Sequence, residues 1–116
     1  MTIERFDVGA RLSELAIHQG VAYLAGQVPE RTEGDMADQT QQVLSEIDAL
    51  LKRAGSDKAR ILRAQIFIRD FSDFAAMNKV WEAWVAPGHA PPRATVQARM
   101  ADPNCRIEIV VTAAVS

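Results

Sequence analysis

Between Met36 and Ala54, apolar or methyl-bearing residues fall at 36, 40, 43, 44, 47, 50, 51 and 54. This three-and-four spacing lays one stripe along a helix. Asp35 is placed to accept hydrogen bonds from the first-turn amides. Lys52 and Arg53 suit the negative end of the dipole, and Gly55 suits a left-handed stop. A second stripe, Phe74, Met77, Trp81, Trp84 and Val85, predicts another helix, started by Asp70 or Ser72 and ended by Pro87-Gly88. Elsewhere the period is two. Leu62, Ala64, Ile66 and Ile68 alternate with Arg63, Gln65, Phe67 and Arg69, and Ile107, Ile109 and Val111 alternate with Glu108, Val110 and Thr112, the pattern of strands.

Val21 to Val28, bounded by Gly20 and Pro29, is a short apolar run that predicts a strand, with Ser13 to His18 pairing with it across Gln19-Gly20. Arg93 to Ala98 and Arg106 to Ala113 are expected to form a closing hairpin around Asp102 to Cys105. The predicted order is β-β-α-β-α-β-β, in which two amphipathic helices cover one face of a sheet, an α+β sandwich. The uncovered face also carries apolar side chains, which predicts that it is buried against identical subunits.

Composition narrows the class of partner. A chain of 116 residues fits a single domain over 1–116, and thirteen Lys and Arg against fifteen Asp and Glu are too balanced for a nucleic-acid footprint. One cysteine, Cys105, cannot form an internal disulfide, which favours a reducing, cytoplasmic setting. No apolar stretch approaches the roughly 20 residues that span a bilayer, so neither export nor membrane insertion is expected. A metal site is not expected either: the two histidines, His18 and His89, and the lone cysteine have no ligand spacing. Phosphate-loop, dinucleotide and nucleophile-elbow motifs are absent.

What remains is a polar minority on the C-terminal strands, Arg93 in PPRATVQA and Glu108 in RIEIVV. A guanidinium is the best available fork for a carboxylate, and a glutamate can hold or activate water. On residues alone, a plain Arg93–Glu108 ion pair or two exposed edge charges outweighs a catalytic role, because structural pairs are the commoner arrangement. Trp81 and Trp84 fit core or interface packing, and Cys105 fits a free thiol in a turn. Neither histidine is given a catalytic part.

The runs GVAYLAGQVP, AGSDKARIL, IFIRDFSDFAAMNKVWEAWV, PPRATVQA and IEIVV, from about Gly20 to Ala113, resemble the Rid/YjgF family of reactive-intermediate deaminases. That family is also labelled L-PSP endoribonuclease-like, and the likeness is to its YoaB-like branch. The resemblance implies a chorismate-mutase-like α+β sandwich with a mixed sheet and two helices on one face. It also implies a homotrimer with a central barrel and a site in each cleft between subunits. By the same resemblance Arg93 binds a substrate carboxylate, Glu108 holds the water, the backbone at Thr95 contacts substrate, and Gly26 matches the family's glycine. Asn78 falls in a Met-Asn pair shared with the family and is expected to cap or hold a loop. Where typical members carry a Gly-Pro-Tyr whose tyrosine lines the cleft, this chain has Ala10-Arg11-Leu12.

The activity so implied is hydrolysis of 2-imino or 2-enamino acids, of the 2-aminoacrylate or 2-iminobutanoate type, to 2-oxo acids and ammonia. It needs no cofactor and only a small carboxylate-bearing substrate. The alternatives are a trimer that binds a 2-oxo acid without turnover and, with less support, an endoribonuclease. For the latter, the sequence offers only the basic cluster Lys52, Arg53, Lys58, Arg60 and Arg63.

Overall fold

A computed structural model describes residues 2–115. Its strands are β1 (Glu4–Phe6), β2 (Leu15–His18), β3 (Val21–Leu24), β4 (Ile61–Ile68), β5 (Arg93–Gln97) and β6 (Ile107–Ala114). Two helices, α1 (Met36–Arg53) and α2 (Phe74–Trp84), complete the set. The strands form one mixed sheet in the order β1-β2-β3-β6-β4-β5, in which only β4 and β5 run parallel. Both helices pack on one face, and the chain is only 20 Å deep along its shortest axis, the depth of two layers.

The α1 stripe is buried as its spacing predicts, from Met36 to Leu51. Asp35 accepts a hydrogen bond from the Asp38 amide at 2.9 Å. At the other end Gly55 takes φ +78°, the Gly55 amide donates to Lys52 O and the Ser56 amide to Leu51 O, so the last carbonyls are satisfied in a left-handed cap. The β2–β3 hairpin turns on Gln19 and Gly20, both at positive φ, the geometry whose twist matches antiparallel strands.

Five expectations are corrected. The sheet is open, with β1 and β5 at its two edges and four strands between them, so it does not close into a barrel. An additional short strand, β1, precedes the predicted first one. The last two strands do not form a hairpin: β5 pairs parallel with β4, and β6 inserts antiparallel between β3 and β4. In β4 a bulge between Ile61 and Arg63 shifts the alternation, so that Ile61 is buried and Leu62 points to solvent. Finally, neither Asp70 nor Ser72 caps α2. That helix begins after a 3-10 turn at Phe71–Asp73, and the Asp73 carboxylate is taken by Arg106 at 3.1 Å.

Gln27, Gln39 and Thr40 are the buried polar residues among those described, and Gln39 departs furthest from the apolar pattern. Gln39 on α1 is completely buried; its amide donates to Thr32 O and Asn104 O, both at 3.2 Å, and its carbonyl accepts from the Arg106 amide at 2.7 Å. It thereby pins the chain entering β6 to the helix layer. Replacing Gln39 by Leu keeps the volume but strands those backbone groups, which is expected to cost about 3 kcal/mol in urea denaturation.

Candidate active site

Strand pairing fixes what the sequence leaves open, the register between the candidate residues. Arg93 lies opposite Ala64 and Thr95 opposite Ile66, both fully buried on the helix side, so Arg93 and Thr95 face the helices. Glu108 lies opposite Phe67, on the uncovered side of β6 with Val110 and Thr112. Two strand spacings and three residues separate Arg93 from Glu108, roughly 14 Å between Cα atoms, and they stand on opposite faces. Among the described residues no ion pair joins them, so the simple paired-charge reading fails.

The half-buried Arg93 guanidinium instead lies over two aromatic rings of α2. Its Cζ is 5.5 Å from the Trp81 ring centroid and 6.0 Å from that of Phe74. Among the described residues it makes no hydrogen bond or ion pair. The buried hydroxyl of Thr95 and the Oδ1 of Asn78 likewise have no partner. Asn78 is thus neither a cap nor a loop anchor; it sits in mid-helix between Phe74 and Trp81. The sequence marked Trp81 correctly as buried but gave no sign that it carries an arginine.

On the other face Glu108 and Gly26 come together. Tyr23 pairs with Thr112 and Gln27 with Ile109, four residues of one strand against three of the other, so the segment through Gly26 bulges. A Cβ at Gly26 would stand 2.9 Å from Glu108 Cδ and nearer still to Oε2. A side chain at Gly26 would have to push the Glu108 carboxylate from its present position. Among the described residues the Glu108 carboxylate accepts no hydrogen bond and forms no ion pair.

Clefts on the surface of one chain include about 260 Å³ beside Glu30, Arg31 and Asp38, about 490 Å³ at Lys58, Lys79 and Trp84, and about 330 Å³ at Arg69, Arg99, Met100 and Pro103. None of the three takes in Arg93, Thr95, Glu108 or Gly26. Leu12 is 57% exposed on the loop between β1 and β2. The basic cluster is dispersed, with Arg53 held by Asp7 at 2.7 Å, Lys58 over Trp84, and Arg63 against Gln65. No group of three metal-ligating side chains occurs among the described residues, and no helix there is long and apolar enough to cross a membrane.

Cys105 is a free thiol as expected and is buried, and burial, followed by the Asp102 and Glu108 carboxylates, pushes it above the ordinary range. A thiol so shifted stays protonated at neutral pH and is a poor nucleophile. Iodoacetamide is expected to label Cys105 slowly in the native protein and at the rate of a free thiol in urea. Fast native labelling would contradict this burial.

The model of the family described as Endoribonuclease L-PSP matches residues 2–115. The chain belongs to the Rid/YjgF family. Its RutC/YoaB-like character is clear from curated relatives: a RutC family protein of Haemophilus ducreyi is 52% identical, covering 98% of this chain and 97% of that one. The RutC family protein YoaB of Escherichia coli is 50% identical, covering 99% and 100%. Among solved structures, a YjgF-family protein from Neisseria meningitidis superimposes with a TM-score of 0.97 at 46% identity, covering 100% of this chain and 97% of its own. An uncharacterized protein from Pseudomonas aeruginosa gives 0.97 at 42% identity, covering 99% and 100%. Rid/YjgF membership places the chain in an enzyme-associated family and supports a general hydrolase-type activity.

Proposed function

We propose that this Rid/YjgF protein hydrolyses small 2-imino or 2-enamino carboxylates to 2-oxo acids and ammonia, in a homotrimer whose sites combine two copies of the chain. The observation that carries the reading is Arg93: a half-buried guanidinium, held by neutral rings, with no carboxylate of its own among the described residues. Such a group is poised to fork a carboxylate from outside. An iminium carbon beside that carboxylate is already electrophilic, so holding substrate and water together supplies much of the catalysis.

Water adds to C2 of the iminium while Glu108 takes one of its protons; that proton passes to the nitrogen, and as the C–N bond breaks and ammonia leaves, Glu108 takes the remaining hydroxyl proton while the C=O bond forms. An enamine first takes a proton at C3 to become the iminium. Since Arg93 and Glu108 of one chain stand on opposite faces, the water-holding Glu108 belongs to a second copy. Support for such an assembly comes from Tyr23, 50% exposed on the uncovered face, and Val96, 43% exposed on the edge strand β5.

The test generates imines in place with an amino-acid oxidase and follows 2-oxo-acid release with and without the protein. Acceleration over spontaneous hydrolysis is expected. If release is not accelerated although short 2-oxo acids raise the melting temperature, the sites bind metabolite without turning it over.

A further inference from the structure

We infer that Trp81, with Phe74, is a positioning residue that holds Arg93 ready for a carboxylate without neutralising it, an inference that rests on reading Arg93 as the carboxylate anchor. Phe74 and Trp81 are seven residues apart on α2, two turns along one face, and both rings lie under the Arg93 guanidinium. The platform is rigid. Trp81 is buried and packs at 5.4 Å against Trp84, whose indole N–H donates to Asp48 Oδ2 at 2.9 Å.

A protein carboxylate could also fix an arginine, but it would occupy the fork and cancel the charge that a substrate needs. Aromatic rings attract the cation through its face and leave its in-plane N–H groups unspent. Stacking and carboxylate binding can therefore hold together on one guanidinium. Immobilising a long, rotamer-rich side chain before binding also removes that entropic cost from the binding step.

The test measures affinity for 2-oxobutyrate by calorimetry, and KM and kcat on oxidase-generated imines, in Trp81→Leu, Trp81→Phe and Phe74→Leu. Trp81→Leu keeps an apolar side chain but removes the ring. It is expected to weaken 2-oxobutyrate binding and raise KM by about three- to thirty-fold with kcat within about two-fold, and Trp81→Phe is expected to recover most of the loss. Phe74→Leu, at a partly exposed position, is expected to weaken binding about two- to five-fold and keeps the inference testable should Trp81→Leu not fold. Unchanged affinity in folded Trp81→Leu, or in Phe74→Leu where that variant alone folds, overturns the positioning role and leaves the anchor intact. Failure of the unaltered protein to bind any short 2-oxo carboxylate overturns both.

Discussion

Arg93→Lys is expected to lower kcat/KM on short 2-imino carboxylates by about 10- to 100-fold while the protein melts as before. Lysine keeps the positive charge but offers a point ammonium where a carboxylate needs two parallel N–H donors, a charge-assisted arrangement contributing about 1.5–3 kcal/mol. Nor does an ammonium offer the rings of Trp81 and Phe74, 5.5 and 6.0 Å from the Arg93 Cζ, the planar cation that a guanidinium does. Stability is spared because the Arg93 guanidinium makes no hydrogen bond or ion pair among the described residues and lysine keeps a cation beside the Trp81 and Phe74 rings. The readout is ammonia or 2-oxo-acid release beside a thermal melt. Undiminished activity in a folded Lys variant would remove the fork from the mechanism.

A larger loss is expected at the opposite face. Glu108→Gln preserves shape and hydrogen-bonding reach but cannot take a proton from water, and general-base removal lowers rates by about 10²- to 10⁴-fold. The effect belongs to kcat, since the carboxylate anchor is untouched. Gly26→Ala supplies an independent check on the same group. The added methyl would displace the Glu108 carboxylate from the space it now fills, so activity is expected to fall with every ionisable residue retained. Single-turnover measurement separates these losses from slower product release. A Glu108→Gln variant with undiminished kcat would assign the proton transfer elsewhere.

The two faces behind these expectations were legible to different depths. The α1 stripe, its Asp35 cap and its Gly55 stop follow from local chemistry, and the alternation of β6 correctly set Glu108 apart from Ile107 and Ile109. Period and capping act within one element, so they survive without knowledge of the neighbours. Partner choice between strands does not. Nothing in PPRATVQA states that it runs parallel to β4, and the turn signals before Cys105 fit a hairpin equally well. That one pairing decides that Arg93 faces the helices. The Ile61/Arg63 bulge likewise swaps which neighbour is buried, against a clean alternation in the letters. Gln39 is not legible in the sequence, because a polar side chain on an apolar stripe looks like an interruption and two of its three backbone partners lie far from it along the chain. The aromatic stripe of α2 implies packing, which accounts for the burial of Trp81 but not for the guanidinium over its ring.

A division of labour between copies can be examined by mixing Arg93→Ala with Glu108→Gln, each inactive alone, after dissociation and reassembly. In an equal, random mixture, about one site in four would join an intact Arg93 from one chain to an intact Glu108 from its neighbour, so activity should return to about a quarter of that of the unaltered protein. Recovery no greater than the sum of the two separate variants, in assemblies shown to contain both chains, would mean that the two groups do not act together across an interface.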